Sequence, residues 1–237
     1  MPEQLGRIER LEAEYFKQGK KLYVVPLVYS GEDAPDEYKE RCSCYWRQVA
    51  EQLANLATRI GKVNRVYHES VSQGGENGMK ALERLSPGSY EIARIQCDSG
   101  AIFETIEERE LLEEFMDWQR CLMMGFVSDK VANKVSEIYV EATRKRNESM
   151  ASKISETLKN DEAGLLFITD GHSVQFPADV EVFSIFPPAL DEVHRWLRDQ
   201  ARTEVDRVKE QREEKAEGVY EGVEEKRDGK MDGETER

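Results

Sequence analysis

The chain has three histidines, and His172 is the candidate among them because it closes a polar turn after a continuously apolar run. Leu165-Leu166-Phe167-Ile168 leads into Thr169-Asp170-Gly171-His172. A His in that place can be a metal ligand, a general base or a hydrogen-bonded structural group. Val63 to Tyr67 reads as a second strand, followed by His68-Glu69-Ser70. Neighbouring residues of a strand point to opposite faces, so only one of His68 and Glu69 can face a shared pocket, and Glu69 is the candidate. Asp98, after Tyr90–Gln96, and Asp170 are further carboxylates at expected strand ends. Arg146 is out of place for a different reason. Val131, Val135, Ile138, Ala142, Met150, Ile154 and Leu158 form one helical stripe, and Arg146 falls on it. A guanidinium buried there needs an acid or an anion, whereas at the edge of the stripe it snorkels to solvent. With Glu69, His172 and Asp170 as ligands of a divalent ion, and Arg146 holding an anionic group or orienting Glu69, the chemistry would be metal-assisted hydrolysis.

These residues need elements to position them. The run Leu165–Ile168 is apolar at every position, as in a strand covered on both faces of a parallel sheet. Strands are expected at Lys21–Tyr29, Val63–Tyr67, Tyr90–Gln96, Leu165–Ile168 and Asp179–Phe186. Pro26 inside the first implies an edge position, a bulge or a bend. Helices are expected over 3–18, Asp36–Ile60, Met79–Leu85, Thr105–Met123, Ser128 to about Lys159 and Ala189–Arg198, with Ser128 as a cap. The alternation predicts an α/β fold, a mainly parallel sheet flanked by helices, as one domain over residues 1–200. Right-handed crossovers then gather the polar strand ends on one edge, where such sheets bind ligands. Residues 201–237 read as a charged tail, in which Gly218, Gly222, Gly229 and Gly233 interrupt any helix.

Composition narrows the partners. A net charge of −14 argues against nucleic acid and against anionic membrane surfaces. No apolar run approaches a membrane span, and the first residues lack the pattern of a secretory signal, so the expected location is cytoplasmic. Cys42, Cys44, Cys97 and Cys121 lack zinc spacing and read as reduced, mostly buried thiols. Gly74-Gly75 lacks the residues of a phosphate loop and reads as a flexible connection.

Arg146-Asn147-x-x-Met150-Ala151-x-x-Ile154 on a helix, followed by an apolar strand and Gly171-His172, resembles the C-terminal half of TraB/TIKI proteins, which group with erythromycin esterase and ChaN-like proteins. In that family an Arg-Asn/Asp-x-x-Met-Ala helix precedes a strand ending in Gly-x-x-His. The resemblance spans residues 20–198 and implies a metal-dependent hydrolase with Glu69, Arg146 and His172 in its site. The chain departs from the family in two places. The first Gly-x-x-His is missing after strand one, where Pro26–Ser30 stands, and Thr169 occupies the Gly place of the second. The alternative expectation is a catalytically degenerate ligand-binding or protein-interaction module whose acidic tail engages a partner.

Overall fold

The computed structural model describes residues 18–228. The helix expected over 3–18 lies almost wholly outside them. Five strands form one parallel sheet in the order β3-β2-β4-β1-β5. They are β1 (Lys20–Pro26), β2 (Val63–His68), β3 (Ile102–Phe103), β4 (Ala163–Ile168) and β5 (Val180–Ser184). The helices are α1 (Asp36–Arg59), α2 (Gly75–Leu85), α3 (Pro87–Asp98), α4 (Arg109–Met123), α5 (Asp129–Thr157) and α6 (Pro188–Asp228). The fold is α/β, as the alternation predicts.

Every residue of β4 is buried, because β4 lies between β2 and β1 and has both faces covered. On one face Leu22, Tyr67, Leu166 and Ile168 pack with Met150, Ile154 and Leu158 at the end of α5. The opposite face carries Tyr23, Val25, Leu165 and Phe167, and Trp46 of α1 packs at a tilt near Phe167 with ring centroids 6.1 Å apart. The alternation along each strand thus sorts side chains between two layers of helix. From β4 the chain crosses β1 to β5 without a helix. That connection packs Val174 on the α5 face, with Phe176 against it.

Several expectations are corrected. Tyr90–Gln96 is not a strand but the body of α3. Ser89, Ile92 and Ala93 are its buried residues, a spacing of three and one that fits a helix rather than a pleat. Pro87 stands in its first turn, where a missing N–H costs nothing. The third strand is the short Ile102–Phe103, and α4 begins at Arg109, so Ile106 and Glu107 lie in the connection before it. Pro26 marks neither an edge, a bulge nor a bend, since β1 pairs with both β4 and β5. It is the last residue of β1, and the ladder to β5 ends two residues before it, at Val24↔Ser184. Its absent N–H therefore stops that ladder instead of breaking it. Finally, the α5 stripe is core only in its second half. Ala142, Arg146, Met150 and Ile154 are buried, whereas Val131 is 48% exposed. Ser128 occupies the N-cap position without a side-chain capping bond. Of the four thiols only Cys42 is buried, and the others are half-buried.

Contacts divide the chain into two units, one through Ala189 and one from Leu190. The second consists of α6, which continues to Asp228 through Gly218 and Gly222, positions expected to interrupt it. Among the described residues no helix is long and apolar enough to cross a membrane.

Candidate active site at the carboxyl edge of the sheet

All five strands point the same way, so the segments after β1, β2, β3 and β4 emerge on one edge. There they surround a cavity of about 440 Å³ lined by Tyr29, Glu69, Arg146, Thr169, Asp170 and His172, among others. Glu69, Arg146, Asp170 and His172 were each expected at such a site, and all four share this wall. Asp98 does not. It ends α3, which leads into the start of β3 at the opposite edge, and it pairs with Arg94 at 3.5 Å.

Glu69 is 6% exposed. Its Oε1 accepts a hydrogen bond from the Thr169 hydroxyl, and its Oε2 lies 3.8 Å from the Arg146 guanidinium. Burial pushes its carboxyl pKa above the ordinary 4.5, against the Thr169 bond and the Arg146 charge, which pull it down. Desolvation wins because the acid is almost fully removed from water and its nearest cation is committed elsewhere.

That other commitment is Glu107. Arg146 Nε donates to both Glu107 oxygens, at 3.1 and 3.0 Å, and its Nη2 donates to Oε1 as well. Glu107 also accepts from the Ser70 backbone N–H at 3.0 Å, and its side chain has no exposed surface. The Arg146 guanidinium carbon sits 4.5 Å from the centre of the Phe115 ring, a cation–π contact in a dry setting. Arg146 is therefore buried on the stripe with an acidic partner, 7% exposed, and does not snorkel.

His172 is half-buried. Its Nδ1 is buried with no hydrogen-bond partner, and the ring edge meets Phe176, centroids 5.4 Å apart. Burial lowers its pKa below 6.5, with Asp170 opposing, so the neutral imidazole prevails at pH 7. Gly171, at φ +73°, supplies the left-handed turn that lets the His172 N–H return to the Thr169 carbonyl at 3.3 Å. His68 faces away from the cavity. It is fully buried, its Nδ1–H donates to the Glu69 carbonyl, and its Nε2 lies 3.1 Å from Ser89 Oγ. Burial lowers its pKa to about 4. Glu69 lines the cavity and His68 does not; β2 ends at His68, so Glu69 already lies beyond the strand and alternation does not decide between them.

A divalent ion needs more donors than the cavity brings together. Among the described residues no three His, Cys, Asp or Glu side chains form a group able to hold a metal ion. Glu69, His172 and Asp170 share a wall without converging, and both Glu69 oxygens already face Thr169 or Arg146. A catalytic zinc takes three protein ligands, and the expected set does not supply them.

Comparison with protein-family models, with curated proteins and with solved structures finds no match. The cavity therefore has to be interpreted from its own residues.

Sequence reasoning missed Glu107, Thr169 and Tyr29. A buried Arg146 demands a carboxylate, so a partner was foreseeable in kind. Glu104, Glu107 and Glu108 all follow β3, and choosing among them requires knowing where that strand ends.

Proposed function

We propose that the carboxyl-edge cavity is the working site of a hydrolase that departs from the metal-dependent TraB/TIKI pattern, acting on a carboxylic ester or amide by proton transfer. The observation that carries this is the pairing of two groups in one cavity wall: a nearly buried acid with a raised pKa and an imidazole kept neutral. Two titratable groups tuned away from their ordinary values suit general acid and base roles. His172 takes a proton from water as the water oxygen bonds to the carbonyl carbon. Glu69, in its protonated form, gives its proton to the leaving oxygen or nitrogen as that bond breaks. Arg146, fixed by Glu107, then lies close to the carboxylate that Glu69 becomes.

The pH profile follows from the two shifts. Activity needs His172 neutral and Glu69 protonated. The acid limb of kcat/KM is therefore expected below pH 6.5 and the basic limb above pH 4.5. The test is a panel of model esters, amides and peptides across that range, with Glu69→Gln and His172→Gln as controls. Each variant should lose about 100-fold or more in kcat/KM. If wild type and both variants are equally inert on every substrate, the hydrolytic assignment falls. The chain is then a ligand-binding module, the alternative favoured by the missing three-ligand group.

A further inference from the structure

Among the polar groups of the cavity wall that the acid–base pair leaves unused is the phenol of Tyr29. Tyr29 lies three residues beyond the end of β1, and β1 pairs directly with β4, the strand that delivers Thr169–His172. Its main chain is pinned, because the Tyr38 hydroxyl of α1 donates to the Tyr29 carbonyl at 3.0 Å. Its side chain is 40% exposed and lines the same cavity as Glu69, Arg146 and His172. It also lines a second cavity of about 460 Å³, walled by Trp46 and Ile92 among others. The ring thus stands where the polar cavity meets a more apolar one. Among the described residues its phenol oxygen has no hydrogen-bond partner, so its O–H is available to a ligand.

We propose that Tyr29 is a catalytic residue of this cavity, its phenol O–H donating to an oxygen of the ligand bound beside Glu69 and His172. This rests on the hydrolytic assignment above, in which that oxygen is the carbonyl oxygen of the ester or amide. No bond to Tyr29 forms or breaks. The phenol keeps its proton throughout, and its hydrogen bond tightens as the carbonyl oxygen gains charge, as an oxyanion-hole donor does. Burial, and after it the Glu69 carboxylate, raise the phenol pKa above the ordinary 10.0, while Arg146 lowers it less. The O–H therefore persists over the whole range in which Glu69 and His172 titrate. Position and electrostatics together make Tyr29 a donor that cannot double as the base.

The experiment has a spectroscopic arm and a kinetic arm, both on the full chain. Protein labelled with ¹³C at tyrosine Cζ is titrated between pH 4 and 8, with Tyr29→Phe assigning the resonance. The Tyr29 signal is expected to shift with a midpoint above 4.5, and the step should vanish in Glu69→Gln. Tyr29→Phe keeps the ring in both cavities, so the melting temperature should hold. Its kcat should fall about 100-fold while KM stays within about twofold. A resonance that stays flat through the Glu69 titration, or full kcat in Tyr29→Phe, overturns the assignment of Tyr29 and leaves the acid–base pair standing. Absence of turnover by the wild-type protein overturns both.

Discussion

At the scale of single residues, the site rests on one buried ion pair and one buried acid held above its ordinary pKa. Arg146 and Glu107 are both buried, and they are joined by three hydrogen bonds. Arg146→Met should destabilise the fold by about 3–5 kcal/mol, because it leaves the Glu107 charge alone in a dry setting. Adding Glu107→Gln should recover part of that loss, a coupling that a double-mutant cycle measures. A double variant whose loss is simply the sum of the two single losses would mean the pair contributes little. Glu69 predicts the opposite sign. Its folded pKa is raised, so its stabilising contribution is complete below pH 4.5 and is lost as pH rises through the folded value. Glu69→Gln removes that loss, and its melting temperature should rise relative to wild type as pH increases from 4.5 to 8. His68 is the mirror case, with a folded pKa of about 4 against 6.5. Its contribution is present above pH 6.5 and is lost as pH falls toward 4, about 3 kcal/mol in all. His68→Gln should flatten the stability curve over that interval.

At the scale of elements, the short strand β3 decides where Glu107 arrives, and a bare glycine face of α2 holds β3. A Cβ on Gly78 would lie 2.1 Å from the Gln73 carbonyl oxygen and 2.6 Å from the Phe103 ring. Gly78→Ala gains helix propensity of about 1 kcal/mol, yet overpacking against a backbone oxygen costs about 1–3 kcal/mol or more. The variant should melt lower, and Phe103 should shift together with the Glu107 connection. A variant as stable as wild type would show that α2 can slide freely over β3. The same strand marks the limit of what the sequence discloses. β4 is legible because six buried residues in a row leave one interpretation, and α1 because Tyr45, Val49 and Leu53 repeat at helical spacing. β3 has two residues, too few for any period to show. In Tyr90–Gln96, a helix rich in Ile and Tyr imitates a strand. Glu69, Asp170 and His172 were legible for a topological reason, since parallel strands must bring their carboxyl ends together, and Arg146 because it falls on an apolar helical stripe. Glu107 was not, because its position follows from β3 alone.

At the scale of the whole molecule, the chain combines a unit with a buried sheet and a long helix of a different physical character. α6 has 41 residues, about 60 Å at 1.5 Å per residue. Every described side chain from Arg198 through Arg207 is exposed, including Val205 at 53%. No apolar stripe supports that stretch. What holds it is its own ladder of backbone bonds, together with exposed pairs such as Arg207–Glu204 at 3.5 Å and Lys209–Asp206 at 3.9 Å. Pairs of this kind contribute about 0.3–0.5 kcal/mol each and are screened by salt. Helix supported only locally melts gradually, not in one cooperative step. Truncation after Arg202 should therefore reduce the far-ultraviolet helical signal while leaving the cooperative melting temperature within about one degree. In the full chain, raising the salt concentration should reduce the same part of the signal and leave the cooperative transition in place. A drop of several degrees on truncation would mean that residues beyond 202 contribute to the stability of the sheet unit. In that event the acidic segment would have to be counted as part of the fold.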